Sequence, residues 1–297
     1  MINLSLRVRH AAKQDYHQLS NLTFNEANSH RHLDWRPVLD WVGSRNYWLI
    51  EADGRILATL ACPEDPPGVA WIRLFGHLPH ISALEAWSAL MTAACPEMIR
   101  ADTHSDAGAQ VQSTQLAAIA VKPWFQNILV SSGFKLRQNI VMMQWSAESG
   151  RVINVPQGIR IRPMQASDLG NVTKLDLAAF GDFWHNTLDS LQRAYAQSAY
   201  ATVVEAGSEL IGYQISTGNL LGAHLARLAV RPAAQGRGIG AGLVSNLIQQ
   251  MNFIHSGRLT VNTQADNAAS LGLYEKMGFR RTGENFPVLV YSQGACG

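Results

Sequence analysis

The stretch LAVRPAAQGRGIGAGLV at residues 228–244 decides how this chain is read. It opens on aliphatic residues that suit a strand and passes through the glycine-rich run from Gln235 to Gly240. It then turns apolar, with Leu243, Val244, Leu247, Ile248 and Met251 spaced three and four apart, as in a helix with one buried face. Glycines reach backbone conformations closed to other residues, and the first N–H groups of a helix have no partner inside it. Together they form a nest for a phosphate, with Arg237 as a positive charge at its rim. Two rival motifs fail on their mechanics. A P-loop needs Gly-Lys followed by Ser or Thr, and this loop has none. A dinucleotide site wants a carboxylate about 20 residues on to hold a ribose, yet Leu243 to Ala265 contains no Asp or Glu.

Outward from the loop, AHLARLAVR at 223–231 reads as a long strand, RLTVNT at 258–263 as another, and 267–277 as a second helix. The polar stretch from Ser146 to Gly158 reads as a linker, dividing the chain into residues 1–146, a linker at 147–158, and residues 159–297. The same landmarks recur on both sides of it. Arg9 leading to Asp15 resembles Arg162 leading to Asp168, and the hairpin from Trp48 through Glu51 to Ile56 resembles Thr202 through Glu205 to Leu210. Ser132-Gly-Phe134 resembles Met277-Gly-Phe279. Three landmarks in one order indicate a diverged internal duplication. The expected fold is α/β (α+β), two tandem domains each with a mixed, mostly antiparallel sheet flanked by helices.

Residues 228–244 resemble motif A of the GNAT acetyltransferase superfamily, and NAASLGLYEKMGF at 267–279 resembles its motif B. The resemblance covers residues 159–292. It implies an acyl-CoA N-acyltransferase fold and acetyl-CoA as the acyl donor. It also implies that Gln235, Gly236, Arg237, Gly238, Ile239, Gly240 and Ala241 hold the coenzyme pyrophosphate. The strand end Leu228, Ala229 and Val230 would meet the pantetheine through its backbone, the N–H of Val230 polarising the thioester carbonyl. Asn267 would be a further coenzyme contact, and equally suits the N-cap of its helix. The domain also resembles ribosomal-protein N-terminal acetyltransferases, and the tandem layout resembles that of mycothiol synthase.

Acyl transfer to an amine requires that the amine lose a proton, the oxyanion meet a donor and the departing thiolate be protonated. By resemblance, Tyr274 is the candidate acid for the thiolate. Asn262 stands where the ribosomal group carries a glutamate base, and an amide cannot take up a proton. His224, where arylalkylamine acetyltransferases place an active-site histidine, is the candidate base, and Glu205 a lesser one.

In the first half, the segment aligned with motif A, Arg73 to Glu85, has lost the glycine loop, and Leu129 stands at the counterpart of Tyr274. That half reads as a degenerate domain. His30 and His32 read as a solvated turn rather than a metal pair, and the tryptophans as core. Cys62, Cys95 and Cys296 are odd in number and far apart, which excludes a disulfide framework and suits a reducing compartment. They also lack the spacing of a zinc site, so no metal is expected. A formal charge of only +2, with no Lys/Arg block, excludes a nucleic-acid surface, and no run of 18 apolar residues suggests a membrane span. A cytoplasmic protein is expected. Three functions stay open: acetylation of a small-molecule primary amine in a direct ternary complex, acetylation of a peptide or protein N-terminus, and coenzyme sensing without catalysis.

Overall fold

The computed structural model describes residues 6–32, 34–101, 114–145, 153, 156–219, 222–251 and 258–291. Cys296 and most of the expected linker lie outside the described residues. The chain divides into two compact units, Met1–Arg137 with Pro287–Gly297, and Gln138–Phe286. This division differs from the boundary read at 146–158. Residues 138–145 belong with the second unit and 287–291 with the first.

In unit 1, β1 (Arg7–His10) leads into α1 (Tyr16–Phe24), followed by β2 (Ser29–Arg31) and the hairpin β3 (Tyr47–Ala52) and β4 (Arg55–Ala61). Then come β5 (Val69–Trp71), β6 (Leu74–His77), α2 (Ala83–Ala101), β7 (Gln115–Ile119) and α3 (Pro123–Ser131). Strands β1, β3, β4, β6 and β2 form one sheet in that order, while β5 runs parallel to β7. The core gathers Trp48, Phe75, Trp87, Phe125 and Leu129, so the aromatic residues here pack rather than line a pocket.

Unit 2 begins in β8 (Lys135–Trp145) and continues through β9 (Ile159–Pro163), α4 (Leu169–Trp184), α5 (Leu188–Ala196), β10 (Tyr200–Ala206) and β11 (Glu209–Asn219). It goes on with β12 (Gly222–Val230), α6 (Ile239–Met251), β13 (Leu259–Gln264), α7 (Ala268–Lys276) and β14 (Phe279–Tyr291). Neighbours from β9 to β12 are antiparallel, β12 and β13 are parallel, and β13 is antiparallel to β8. The expected mixed, mostly antiparallel sheet is present. Leu243, Val244, Leu247 and Ile248 of α6 are all buried, as their spacing requires. Each contributes about 1.5–3 kcal/mol by leaving water.

The duplication shows in side-chain detail. Arg9 forks onto Asp15 at 2.7 and 2.8 Å and reaches Glu51 at 2.7 Å. Arg162 does the same with Asp168 at 2.7 and 2.9 Å and Glu205 at 2.6 Å. In each unit the arginine ties the first strand to the following helix and to the hairpin strand, through charge-assisted bonds. The guanidinium beside Asp15, and that beside Asp168, holds the carboxyl below its ordinary range.

Candidate functional site

The glycine loop sits where the sequence places it, between the end of β12 and the start of α6. Gly236 and Gly238 have φ of +74° and +80°, a region closed to most side chains. Gly240 is different: a Cβ there would lie 3.1 Å from Leu273 Cδ2, so its smallness lets α6 pack against α7. Ile239 is buried against Val204, Ile211 and Leu243, which anchors the start of the helix. Its side chain is spent on the core, so only its backbone can face a ligand. The side chain of Gln235 donates to the Val230 carbonyl at 3.0 Å and pins the loop to the strand end, while Arg237 stays exposed. At the start of α6 the N–H groups of Ile239, Gly240 and Ala241 precede the first intrahelical bond, Gly242 N to Gly238 O at 3.0 Å.

Strands β12 and β13 pair only from Ala223 to Leu225 and from Leu259 to Val261; beyond that point they part. A register shift between Ile215 and Ser216 leaves Ala226 as an extra residue in β12. Such a bulge re-aims the side chains that follow it. Val230 lies opposite Gly212, and the Arg231 N–H bonds the Ile211 carbonyl at 2.8 Å. By the alternation of an antiparallel ladder, the N–H groups of Leu228 and Val230 then point away from β11, toward the gap beside β13. The N–H of Ala229 bonds β11 instead. Of the three strand-end residues expected at the pantetheine, Ala229 therefore has no N–H to offer.

A cavity of about 130 Å³ opens beneath this gap. Leu225 to Leu228 and Val261 to Gln264 form its strand walls, and Asn267, Ser270 and Tyr274 line it from α7. Asn267 caps α7, accepting from the Ser270 N–H at 3.0 Å, and still lines the cavity, so both roles read for it fit together. Burial pushes the Tyr274 phenol well above its ordinary range, so it stays protonated at any working pH. Phe180 and Trp184, at the kink of α4 where Gly181 has φ +68°, complete the wall with Ile140.

His224 is not brought to Tyr274. It pairs in register with Thr260, where β12 and β13 are still joined, and its Nδ1 lies 2.9 Å from Thr260 Oγ1. It lines a separate cavity with Thr217, Asn219 and Arg258. Burial lowers its pKa, so it is neutral at neutral pH. Glu205 is held by Arg162 and is not available as a base.

Sequence reading missed a buried group beside the cavity. Asp176 of α4, wholly buried, takes Arg227 Nε and Nη2 at 2.8 Å each, the Asn186 N–H at 2.6 Å and the Tyr213 hydroxyl. Arg227 also donates to the Trp184 carbonyl at 2.7 Å and stacks on Phe180 at 3.5 Å. The available signal was a lone charge in an otherwise apolar strand run.

Among the described residues of unit 1, β6 has no matching open edge. There β2 lies antiparallel along β6, Ser29 opposite Gly76 and His30 opposite Phe75. His30 is fully buried and stacks on Phe125 of α3 at 4.0 Å. The solvated turn read for His30 is thus a buried strand: the apolar neighbours contributed by β6 and α3 are distant in sequence.

An acetyltransferase (GNAT) domain model matches residues 159–288. Those residues are a GNAT acetyltransferase domain. Over 56 residues the chain is 41% identical to the N-alpha-acetyltransferase RimI of Mycobacterium tuberculosis, which is 19% of this chain and 34% of that protein. The match thus spans about a third of the relative's length. The whole chain shares its fold with a GCN5-related N-acetyltransferase from Sphaerobacter thermophilus, at TM-score 0.64 and 15% identity, covering 96% of this chain and 95% of that one. It is similar too to a tandem GNAT protein from the clavulanic acid biosynthesis pathway, at TM-score 0.63 and 17% identity, covering 99% and 100%. The layout is therefore that of two tandem GNAT folds, with the GNAT domain matched by the family model at the C-terminal side. Acetyl-CoA is the donor that GNAT enzymes generally use. Among the described residues, no helix is long and apolar enough to cross a membrane.

Proposed function

We propose that the GNAT domain transfers an acetyl group from acetyl-CoA to a primary amine by direct attack in a ternary complex. The observation that carries this reading is the open edge of β12. The N–H groups of Leu228 and Val230 face a gap that lies between a phosphate nest at one end and Tyr274 at the other. Acetyl-CoA, when bound, supplies an activated acetyl thioester. The loop from Gln235 to Ala241 holds the diphosphate through backbone N–H groups. The Val230 N–H stabilises the oxygen that gains charge; as the C–N bond forms and the C–S bond breaks, the amine nitrogen releases a proton to solvent, and the Tyr274 phenol gives its proton to the departing sulfur and is reprotonated from solvent. Proton transfer to His224 would have to run through solvent from one cavity to another, so we assign it no direct role. In unit 1, β2 fills the corresponding edge, which supports one coenzyme per chain and a structural part for that unit.

A peptide N-terminus as acceptor is the second reading, favoured by the local likeness to an N-alpha-acetyltransferase. Calorimetry with coenzyme A, followed by thiol release from acetyl-CoA over a panel of amines and peptides, tests both. Binding without turnover on any acceptor would leave only a sensor. The absence of binding would end the assignment.

A further inference from the structure

We propose that the acceptor is a small primary amine whose far end carries a carboxylate, held at Arg258 while the nitrogen lies at the Tyr274 cavity. The inference deepens the small-amine reading above and rests on it. It starts from the cavity of about 290 Å³ at the head of β12. Thr217, Asn219, His224, Arg258 and Thr260 supply its polar side chains, and no Asp or Glu lines it among the described residues. Arg258 Nε donates to the Gln144 side-chain oxygen at 3.2 Å, while its Nη1 and Nη2 have no partner among the described residues. Arg227, which lines the Tyr274 cavity, is neutralised by the buried Asp176; Arg258 has no such carboxylate among the described residues. Two free donors side by side match the two oxygens of a carboxylate. Burial keeps His224 neutral, so it and Thr260 add hydrogen-bonding capacity but no second charge. One uncompensated cation suits one negative charge and would leave a dianion half-balanced. A Cβ at Gly222 would lie 2.9 Å from the Arg258 carbonyl oxygen and 3.3 Å from Arg258 Cβ, so glycine there lets the arginine stem lie against the start of β12.

Strand register sets this cavity beside the other. Thr217, His224, Thr260 and Gln144 are partners in turn across β11, β12, β13 and β8, so their side chains share one face of the sheet. Alternation puts Asn262, two residues beyond Thr260, on that face too. Its partner on β8 is Met142, and Met142 lines the Arg258 cavity where Asn262 lines the Tyr274 cavity. Such partners sit about 5 Å apart, so the two cavities adjoin there. The Asn262 side-chain oxygen is buried without a partner and can accept from an amine N–H. Arg258 reaches Gln144, level with Thr260, so its guanidinium stands two to four residues back along β13 from Asn262. At about 3.3 Å per residue the separation is roughly 7–13 Å. An extended chain of about six to ten bonds, each near 1.5 Å, spans it. An α-amino acid, with its nitrogen and carboxylate on one carbon, is too short to reach both groups.

The test measures kcat and KM for 4-aminobutyrate, 6-aminohexanoate and 8-aminooctanoate beside hexylamine and octylamine, with acetyl-CoA saturating. Wild-type kcat/KM should favour 6-aminohexanoate or 8-aminooctanoate by about tenfold or more over the alkylamine of equal length and over 4-aminobutyrate, the scale of one hydrogen bond to a charged group. R258Q should bring that preference to within about twofold of unity, chiefly through KM, since it removes both the charge and the paired donors. R258K, which keeps the charge alone, should retain part of it. Arg258 is exposed, so both variants should melt with the wild type. Alkylamines matching their carboxylates at every length overturn the inference while leaving acetyl transfer in place. So does a preference as strong for 4-aminobutyrate, or one that R258Q leaves unmoved. Acetylation of peptides but of none of these amines overturns it as well. Coenzyme binding with no acceptor acetylated overturns the acetyltransferase reading itself.

Discussion

Replacing Gly238 with alanine puts the phosphate nest to its most direct trial. The residue has φ +80°, and a Cβ built there meets nothing within 4 Å, so any effect comes from backbone conformation and not from a clash. Holding an alanine in the left-handed region costs about 1–2 kcal/mol. Gly238 is exposed in a loop whose anchors are the Ile239 side chain and the Gln235 bond to Val230. The free loop can therefore relax to a right-handed conformation and escape the strain. The bound loop cannot, because its N–H groups must converge on the diphosphate. The strain thus appears in the binding constant, and coenzyme A should bind about 5- to 30-fold more weakly. Gly238→Asn, which tolerates the left-handed region better, should lose less. Calorimetric titration at fixed ionic strength, beside a thermal melt to verify folding, measures both. An alanine variant that binds coenzyme A within twofold of the wild type would refute the reasoning.

Other expectations concern groups whose surroundings are now described. Tyr274→Phe should lower kcat by roughly 10- to 1000-fold with little change in coenzyme affinity, since only the proton donor is lost; unaltered turnover removes the phenol from the reaction. His224→Ala should leave the pH–rate profile superimposable on that of the wild type, because the imidazole lines another cavity; a lost ionisation would restore it as a base. His30 should make the fold acid-sensitive. Burial lowers its pKa to about 3, against about 6.5 when unfolded, so between these values the unfolded chain binds the extra proton and stability falls as pH falls. From pH 8 to pH 5 this amounts to about 2 kcal/mol. Urea unfolding of the wild type and of His30→Gln at both pH values would show it, and equal pH dependence in the two proteins would exclude His30 as the source.

Much of this was legible in the chain because it depends on near neighbours. The periodicity of Leu243, Val244, Leu247 and Ile248, the glycines before them, the capping Asn267 and the repeated Arg-to-Asp spacing are short-range patterns set by helix geometry and turn chemistry. They sufficed for two tandem mixed α/β domains with a glycine-rich loop leading into a helix in the second, and the resemblance of residues 228–244 and 267–279 to two motifs supplied the GNAT fold. Tertiary structure alone decided what rests on long-range registry. A bulge at Ala226 and the parting of β12 from β13 place His224 and Tyr274 in different cavities, though both were read onto one site. Pairing of β2 with β6 buries His30, and Asp176 meets Arg227 across 51 positions of chain. Strand register and burial are properties of partners distant in sequence, and no local pattern encodes which partner a strand edge will take.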